Sequence, residues 1–448
     1  MYISFAVLIV LFALAAVTAF RVVPLDRRKA LYIVLLLLAA ATRIAIIFYI
    51  YRDGTETFGT DGLLYHREGI CVARQLAEGV PLYAVEYDYT WYSVFVGLIY
   101  RLFGVNRYIA SFVNAVLALY SALLLLKISI NNGRKFSNAA YASIVFLYSP
   151  NLLLWTSDTR KESLLIFLIL FYWYLVQSFM NIIEKAVGES KAEKQSGAGK
   201  TMTYRFNSLM DFRGYVKCIL LILSICALMW LCTLVRIYMF LPLAAGILAC
   251  QYIFIKKYRV RLGIIFFIVF TAFSLAIFFT TIYPWLKDYH AISFPDETGN
   301  FASDVLNKIK KIVNLVKNRN IFMSIVNFII LPIPGKVNIA DIKGNALLCS
   351  IVSIDIMTWY SCILQMIPGI RSAIKRKEAF MIGILMFLLS YILINGLVVD
   401  NAEDTIYRYR SVIVGIFLLF IKWDEIAEML SIFHIRKRHR DKERRATV

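Results

Sequence analysis

Apolar blocks of about 20 residues alternate along the chain with shorter polar segments that carry most of its charges. A block of that length crosses a hydrocarbon core of about 30 Å as one helix, whose backbone hydrogen bonds all close internally. The blocks show no strand-like alternation, so they predict an all-α fold, a polytopic transmembrane helical bundle of about 11 spans. The predicted spans are residues 2–20, 30–51, 108–129, 138–156, 163–183, 218–235, 237–255, 262–283, 346–367, 379–399 and 410–431.

The segment from Trp91 to Phe103, WYSVFVGLIYRLF, is apolar but too short to span a membrane comfortably. If it does not cross, every short, densely basic loop falls on one side, which the positive-inside rule assigns to the cytoplasm. These basic segments are residues 21–29, 134–135, 185–217, 256–261, 371–377 and the C-terminal tail. We therefore predict an interfacial helix at 91–103 in a multi-pass cell-membrane protein, with its N-terminus outside and its C-terminus in the cytoplasm.

This topology divides the chain into five regions. The first segment lacks the basic leader of a signal peptide, so we expect it to be retained as a span. The regions are an extra N-terminal helix with a basic inner loop (1–29), a transmembrane module with a first outer loop at 52–107 (30–283), a large outer loop with a basic amphipathic helix in VLNKIKKIVNLVKNRN (284–345), C-terminal transmembrane helices (346–431) and a basic cytoplasmic tail (432–448).

Composition supports a membrane protein. Of 448 residues, 60% are hydrophobic, whereas a soluble domain averages about 45–50%. The net charge of +20 would suggest nucleic acid in a soluble protein, but here basic residues flank the spans and set topology, so no nucleic-acid partner is expected. The seven cysteines include no CxxC pair, which argues against a disulfide framework or a zinc site.

The predicted first outer loop contains an unusual polar stretch, GTDGLLYHREGICVARQLAEG, with Asp61 near its start and Tyr65 four residues later. If a helix follows, Asp61 stands at its N-terminal end, where the helix dipole favours a carboxylate. A capping role and a chemical role for Asp61 are compatible. His66 beside one aspartate does not define a metal site, so no cofactor is required and a divalent cation is left open.

Three further outer turns carry charges next to apolar spans. SDTRKES holds Asp158, Arg160, Lys161 and Glu162, TLVRIYMF holds Arg236, and IYRYRS holds Tyr407, Arg408, Tyr409 and Arg410. Snorkelling anchors would explain single basic residues at an interface. Carboxylates and arginines together also suit a substrate with a phosphate at the bilayer surface and a sugar outside it. One acid could take a proton from an acceptor hydroxyl while cations stabilise the departing phosphate, which would invert the anomeric centre.

Residues 30–183 resemble the GT-C membrane glycosyltransferases, in particular the protein-mannosyltransferase-like and aminoarabinose-transferase-like branch. The resemblance is carried by TDGLLYHREGICVARQLAEGVPLY, then VGLIYRLFGVNRYIASFVNAVLALYSALLLL, then LYSPNLLLWTSDTRKESLLIFL. It implies a polyprenyl-phosphate-linked sugar donor, a glycan or lipid-linked acceptor, contact with membrane lipids and an active site on the outer face. The family's adjacent Asp-Glu pair is missing from the first loop, which argues against protein O-mannosylation.

The resemblance also implies roles for individual residues. Asp61 would act as base or orient the acceptor, and the next outer turn would supply Asp158 or Arg160, of which we take Asp158 as the second catalytic residue. The substrate-binding residues would be Tyr65, Arg160, Lys161, Arg236, Tyr407 and Arg408.

Three alternatives remain open from the sequence. A polysaccharide polymerase or ligase would use similar donors, and the long segment 284–345 is compatible with it. A lipid or glycan transporter is disfavoured because no pair of Gly- or Pro-broken spans recurs in two halves. A membrane scaffold without catalysis would explain each charged residue as an anchor or a cap.

Overall fold

In the computed structural model, the described residues are 2–23, 28–51, 61–87, 90–195, 212–258, 261–282, 321–336, 346–399 and 403–423, and they contain helices and no strand. The α-helices are α1 (Tyr2–Val22), α2 (Lys29–Ile50), α3 (Asp61–Ala77), α4 (Trp91–Phe103), α5 (Arg107–Asn131), α6 (Phe136–Tyr148), α7 (Pro150–Thr156), α8 (Glu162–Gln195), α9 (Phe212–Val235), α10 (Phe240–Tyr258), α11 (Arg261–Ile277), α12 (Ile321–Ile330), α13 (Ala346–Arg376), α14 (Ala379–Val399) and α15 (Glu403–Leu418). Short 3₁₀ turns lie at Leu82–Ala84 and Ile237–Met239, and a π turn follows α11 at Phe278–Ile282.

The all-α prediction is confirmed for these residues, and the apolar helices indicate a membrane-embedded protein. Seven segments of the described chain are long and apolar enough to span, which is fewer than the 11 that we predicted. They are Lys29–Ile50, Arg107–Asn131, Glu162–Lys185, Val216–Val235, Ile237–Lys257, Cys349–Arg376 and Ala379–Val399. The predicted amphipathic helix of 305–320, the end of the last predicted span and the tail lie outside the described residues.

The predicted span 138–156 is divided into two helices. α6 ends at Tyr148, Ser149 leaves the helical conformation with ψ 123°, and Pro150 starts α7. Proline has no N–H to donate to the preceding turn and disfavours the helical conformation of the residue before it. The hydropathy pattern runs through this break because both halves are apolar.

α3 and α4 form a hairpin at one end of the bundle. Gly69 of α3 lies against Val96, and Gly97 of α4 lies against Val72, so each glycine admits a side chain of the other helix. The segment that joins α2 to α5 begins and ends at the same place. Tyr51 follows α2 and Arg107 starts α5, and the Arg107 guanidinium lies 4.5 Å from the ring centroid of Tyr51. The chain therefore enters α3 and leaves α4 at the same end of the bundle, and the absence of a membrane crossing at 91–103 stays a prediction.

Close contact between α10 and α14 depends on two glycines. A Cβ at Gly246 would lie 2.8 Å from the carbonyl oxygen of Gly383, and a Cβ at Gly383 would lie 2.6 Å from the Cβ of Cys250. Small residues let membrane helices approach closely, which strengthens their dispersion contacts. The helix pair therefore packs backbone against backbone at this point.

We expect Gly246→Ala to lower the free energy of unfolding by about 1–3 kcal/mol, since the added methyl group has no space against Gly383. Reversible unfolding in mixed micelles measures the effect. Ala249→Val is the matched control, because Ala249 lies on the same helix and is only half-buried. Equal losses in the two variants would show that the loss does not arise from the Gly246–Gly383 contact.

Candidate functional site

Four charged side chains from distant parts of the chain meet at one end of the bundle. Asp61 begins α3, Glu162 begins α8, Arg236 lies between α9 and α10, and Arg408 lies in the second turn of α15. Arg408 pairs with Asp61 through Nη1 and with Glu162 through Nε, at 3.2 Å. Nη2 of Arg236 reaches the same Oε1 atom of Glu162 at 3.2 Å. We call Asp61, Glu162, Arg236 and Arg408 the ion network.

The two acids of the ion network differ in access to solvent. The side chain of Glu162 is 2% exposed and lies between two guanidinium groups, whereas that of Asp61 is 23% exposed. A buried carboxylate needs such paired donors to offset the loss of hydration. Glu162 is therefore suited to holding the two arginines in place, and Asp61 is suited to meeting a molecule from outside.

Aromatic rings cover the cationic part of the site. The Cζ atom of Arg236 lies 4.1 Å from the ring centroid of Tyr409 and 5.4 Å from that of Tyr238, and Arg408 lies 5.7 Å from Tyr409. Such cation–π contacts stabilise a charge that has left water. They also fix the plane of the Arg236 guanidinium.

Arg236 keeps unused hydrogen-bonding capacity. It is 3% exposed, and its Nε and Nη1 atoms make no hydrogen bond within the described residues. Buried donors in native proteins normally find a partner, so the two unsatisfied nitrogens mark Arg236 as a candidate for binding an acceptor from outside the chain. The Nε–H and Nη1–H groups point to different sides of the guanidinium, so an oxygen of a phosphate or carboxylate can accept from either of them but not from both as a bidentate pair.

Lys161 adds a titratable cation beside the ion network. Its Nζ lies 5.9 Å from the ring centroid of Tyr65, and it interacts electrostatically with Arg236, Glu162, Arg408 and Asp61. Burial, followed by repulsion from Arg236, lowers the pKa of Lys161 to about 7. We therefore expect Lys161 to change charge in the physiological pH range.

Asp158 lies next to the ion network but has an internal role. Its Oδ1 accepts hydrogen bonds from the Tyr51 hydroxyl at 2.8 Å and from the Thr159 N–H at 2.7 Å, and its Oδ2 pairs with Arg160 at 2.9 Å. The carboxylate is buried and its oxygens are engaged, which differs from the open acid expected of a second catalytic residue. Its contacts fix the turn before α8.

The same turn holds α3 in position. A Cβ at Gly62 would lie 2.7 Å from Oδ2 of Asp158, so the first turn of α3 rests directly on this carboxylate. Asn114 of α5 donates to the carbonyl oxygens of Asp158, at 2.6 Å, and Arg160, at 2.9 Å. Arg160 in turn lies over the ring of Trp155 at 4.7 Å. Through these contacts Asp158 and Arg160 set the distance between Asp61 and Glu162.

One predicted site residue, Tyr407, lies elsewhere, and so does His66, which we did not assign to the site. Tyr407 faces the opposite side of α15, where its hydroxyl donates to Asp355 at 3.1 Å. The position beside the arginines, which we predicted for Tyr407, is occupied by Tyr409. His66 turns to the Tyr100 hydroxyl at 2.8 Å, not to Asp61. Burial, with the charges of Arg107 and Arg67, lowers its pKa.

The described residues contain no group of three His, Cys, Asp or Glu side chains able to hold a metal ion.

Sequence reasoning missed Glu162 and Tyr409 as members of the site. Both stood in charged or aromatic turns that the sequence marks, but neither turn indicates which of its side chains faces inward. Tyr65 lies as predicted beside the site, buried with its ring edge-on to Tyr92 at a centroid distance of 4.9 Å. The helical start at Asp61 was also correct: Asp61 is the first residue of α3.

No protein family, curated protein or solved structure gives a significant match to this chain. The resemblance to GT-C glycosyltransferases is therefore an expectation from short motifs, and the site has to be interpreted from its own residues.

Proposed function

We propose that this protein is a membrane glycosyltransferase of the GT-C type. It transfers a sugar from a polyprenyl-phosphate-linked donor to a glycan or lipid-linked acceptor at the outer face of the cell membrane. Two members of the ion network carry the proposal. The guanidinium of Arg236 is buried and has two donors without a hydrogen bond, and the carboxylate of Asp61 is partly exposed. Glu162 and Arg408 connect the two. A phosphate group and a hydroxyl group would both find a partner there.

The charge of the site suits one phosphodiester. Lys161, Arg236 and Arg408 supply three positive charges against the two negative charges of Asp61 and Glu162, which leaves one positive charge when Lys161 is protonated. A polyprenyl phosphate joined to a sugar carries one negative charge. An unsatisfied nitrogen of Arg236 would donate a charge-assisted hydrogen bond to one of its oxygens, and Lys161 would supply a point charge.

In the proposed reaction, Asp61 is the general base. Its carboxylate takes the proton of the acceptor hydroxyl as that oxygen forms a bond to the anomeric carbon. The bond from the anomeric carbon to the phosphate oxygen breaks, and its electron pair leaves with the polyprenyl phosphate, whose added charge Arg236 and Lys161 stabilise. Glu162, Asp158 and Arg160 act as positioning residues through the contacts described above.

Transfer by the purified protein tests this proposal. The protein in nanodiscs is incubated with a radiolabelled polyprenyl-phosphate sugar and a hydroxyl-bearing acceptor glycan. We expect label to appear in the acceptor and free polyprenyl phosphate to be released. Movement of intact donor across a sealed vesicle without cleavage would favour a transporter instead, and inertness in both assays would favour a scaffold.

Binding of the donor should weaken as the pH rises through about 7, because Lys161 is protonated below its pKa of about 7 and neutral above it. One linked proton changes the affinity by at most about tenfold per pH unit. Titration with a non-hydrolysable phosphodiester analogue, which does not itself titrate in this range, measures the change. Lys161→Arg should remove the pH dependence, since arginine stays charged. A profile unchanged in that variant would exclude Lys161 as the titrating group.

The outer location depends on the orientation of the bundle. A single cysteine placed near residue 195, in an otherwise cysteine-free chain, should react with a membrane-impermeant maleimide only after the cells are opened. A cysteine at Asp404, at the end of the bundle that holds the ion network, should react in intact cells. The reverse labelling pattern would move the site to the cytoplasmic face.

A further inference from the structure

A polar cavity lies at the end of the bundle opposite the ion network. α5 starts beside Tyr51 and α15 starts at the ion network, so both helices begin at the same end of the bundle. Their C-terminal residues, Asn131 and Leu418, lie at the opposite end, where the cavity is. A cavity of about 330 Å³ opens between the α5–α6 turn, the last turns of α13 and the chain that follows α15. It shares no lining residue with the ion network.

The walls of the cavity are firmly held. Arg134, in the α5–α6 turn, donates to the carbonyl oxygens of Leu419 and of Ile421, the latter at 2.8 Å. A Cβ at Gly369 of α13 would collide with the carbonyl group of Phe420, so these two segments are in direct backbone contact. The guanidinium of Arg134 is therefore fixed by main-chain groups at the edge of the cavity.

The lining of the cavity is cationic. Arg134, Arg376 and Lys422 contribute three positive charges, and Glu378 is the acid among the lining residues. Glu378 forms an ion pair with Arg376 at 3.8 Å, in which the side chains are 74% (Arg376) and 42% (Glu378) exposed. Asn132 and Ser372 add neutral hydrogen-bonding groups. Three cationic side chains beside amide and hydroxyl groups suit a phosphate.

We propose that this cavity binds a phosphate group, as presented by the headgroup of an anionic phospholipid or by a soluble phosphorylated molecule. Basic cavities between transmembrane helices commonly hold lipid phosphates, because the helix ends lie at the depth of the headgroups. The positive-inside rule assigns this basic end to the cytoplasmic leaflet. The site is separate from the proposed transferase site, and its occupancy does not depend on that function.

Arg376 offers a clean test, because its side chain is 74% exposed and its ion pair with Glu378 is long, at 3.8 Å, so Arg376→Gln should fold normally. Lys375→Gln is the matched control: it removes the same charge from the neighbouring position, which does not line the cavity. The detergent-solubilised protein is titrated with phosphatidylglycerol and separately with inorganic phosphate, and native mass spectrometry or thermophoresis gives each dissociation constant.

We expect saturable binding that is about fivefold weaker in Arg376→Gln and unchanged in Lys375→Gln. Glu378→Gln, which removes the opposing charge, should bind more tightly than the wild type. Saturable binding of phosphatidylglycerol alone identifies a lipid headgroup site, and saturable binding of inorganic phosphate alone identifies a soluble phosphate site. Equal weakening in Arg376→Gln and Lys375→Gln, or no saturable binding of either probe, would overturn the proposal.

Discussion

Asp61→Asn should lower the rate of sugar transfer by about 10²- to 10⁴-fold while the protein level and the affinity for the donor stay close to those of the wild type. Asparagine keeps the size of the side chain and can still accept a hydrogen bond from Arg408, but it cannot take a proton from the acceptor. Asp61 is the acid with the most exposed side chain of the three around the site: 23% against 4% for Asp158 and 2% for Glu162. Single-turnover transfer with labelled donor measures the chemical step directly.

Asp404→Asn is the matched control for this experiment. Asp404 lies in the first turn of α15 at the same end of the bundle, is exposed, and forms no ion pair with Arg408 within the described residues. It should retain wild-type activity. Asp158→Asn should reduce transfer through the position of the turn, so its loss should include weaker donor binding, which Asp61→Asn should not show. If Asp61→Asn stays fully active, the assignment of the base is wrong.

Glu162→Gln should lower the free energy of unfolding by about 3–5 kcal/mol, the usual cost of leaving a buried charge without its partner. Glu162 touches both Arg236 and Arg408, and its side chain is almost fully buried. Arg408 keeps Asp61 as a partner after the change, whereas Arg236 loses the carboxylate that it contacts. Reversible unfolding of the purified protein in mixed micelles measures the loss.

A double variant separates charge from packing. Glu162→Gln with Arg236→Gln removes both members of the pair, so it should be more stable than Glu162→Gln alone. Glu78→Gln, at the exposed end of α3, is the matched control and should change the free energy of unfolding by less than about 0.5 kcal/mol. If the double variant is less stable than Glu162→Gln, the loss arises from packing and the ion-pair explanation fails.

The membrane character of the fold could be predicted from the sequence because hydrocarbon thickness imposes a length on apolar helices. The start of α3 at Asp61 and the separate short helix at 91–103 were also visible, through a charge at a helix start and an apolar run too short to cross. The division of 138–156 at Pro150 was not identified, since hydropathy averages over a window and does not register one missing N–H.

The residues of the site were predictable as a set and not as an arrangement. Asp61 was singled out as a carboxylate at a helix start in an outer loop and by the family resemblance, and Arg236 and Arg408 as phosphate-binding candidates in turns next to apolar spans. Asp158 and Glu162 lie four residues apart in one turn, and their composition alone does not distinguish them. Their different roles follow from the neighbours that each meets, Tyr51 and Arg160 for Asp158 and two distant arginines for Glu162.

By itself, the sequence determined that the chain forms apolar helices in a membrane and that its charges gather at their ends, because both follow from the local cost of placing polar groups in hydrocarbon. Only the tertiary structure decided that Asp61 meets Arg408, 347 positions away, and that Tyr409 and not Tyr407 faces the arginines. These outcomes depend on how α15 is rotated against α3, α8 and the α9–α10 turn. That rotation results from packing across the whole bundle, including the glycine contacts, which no local pattern encodes.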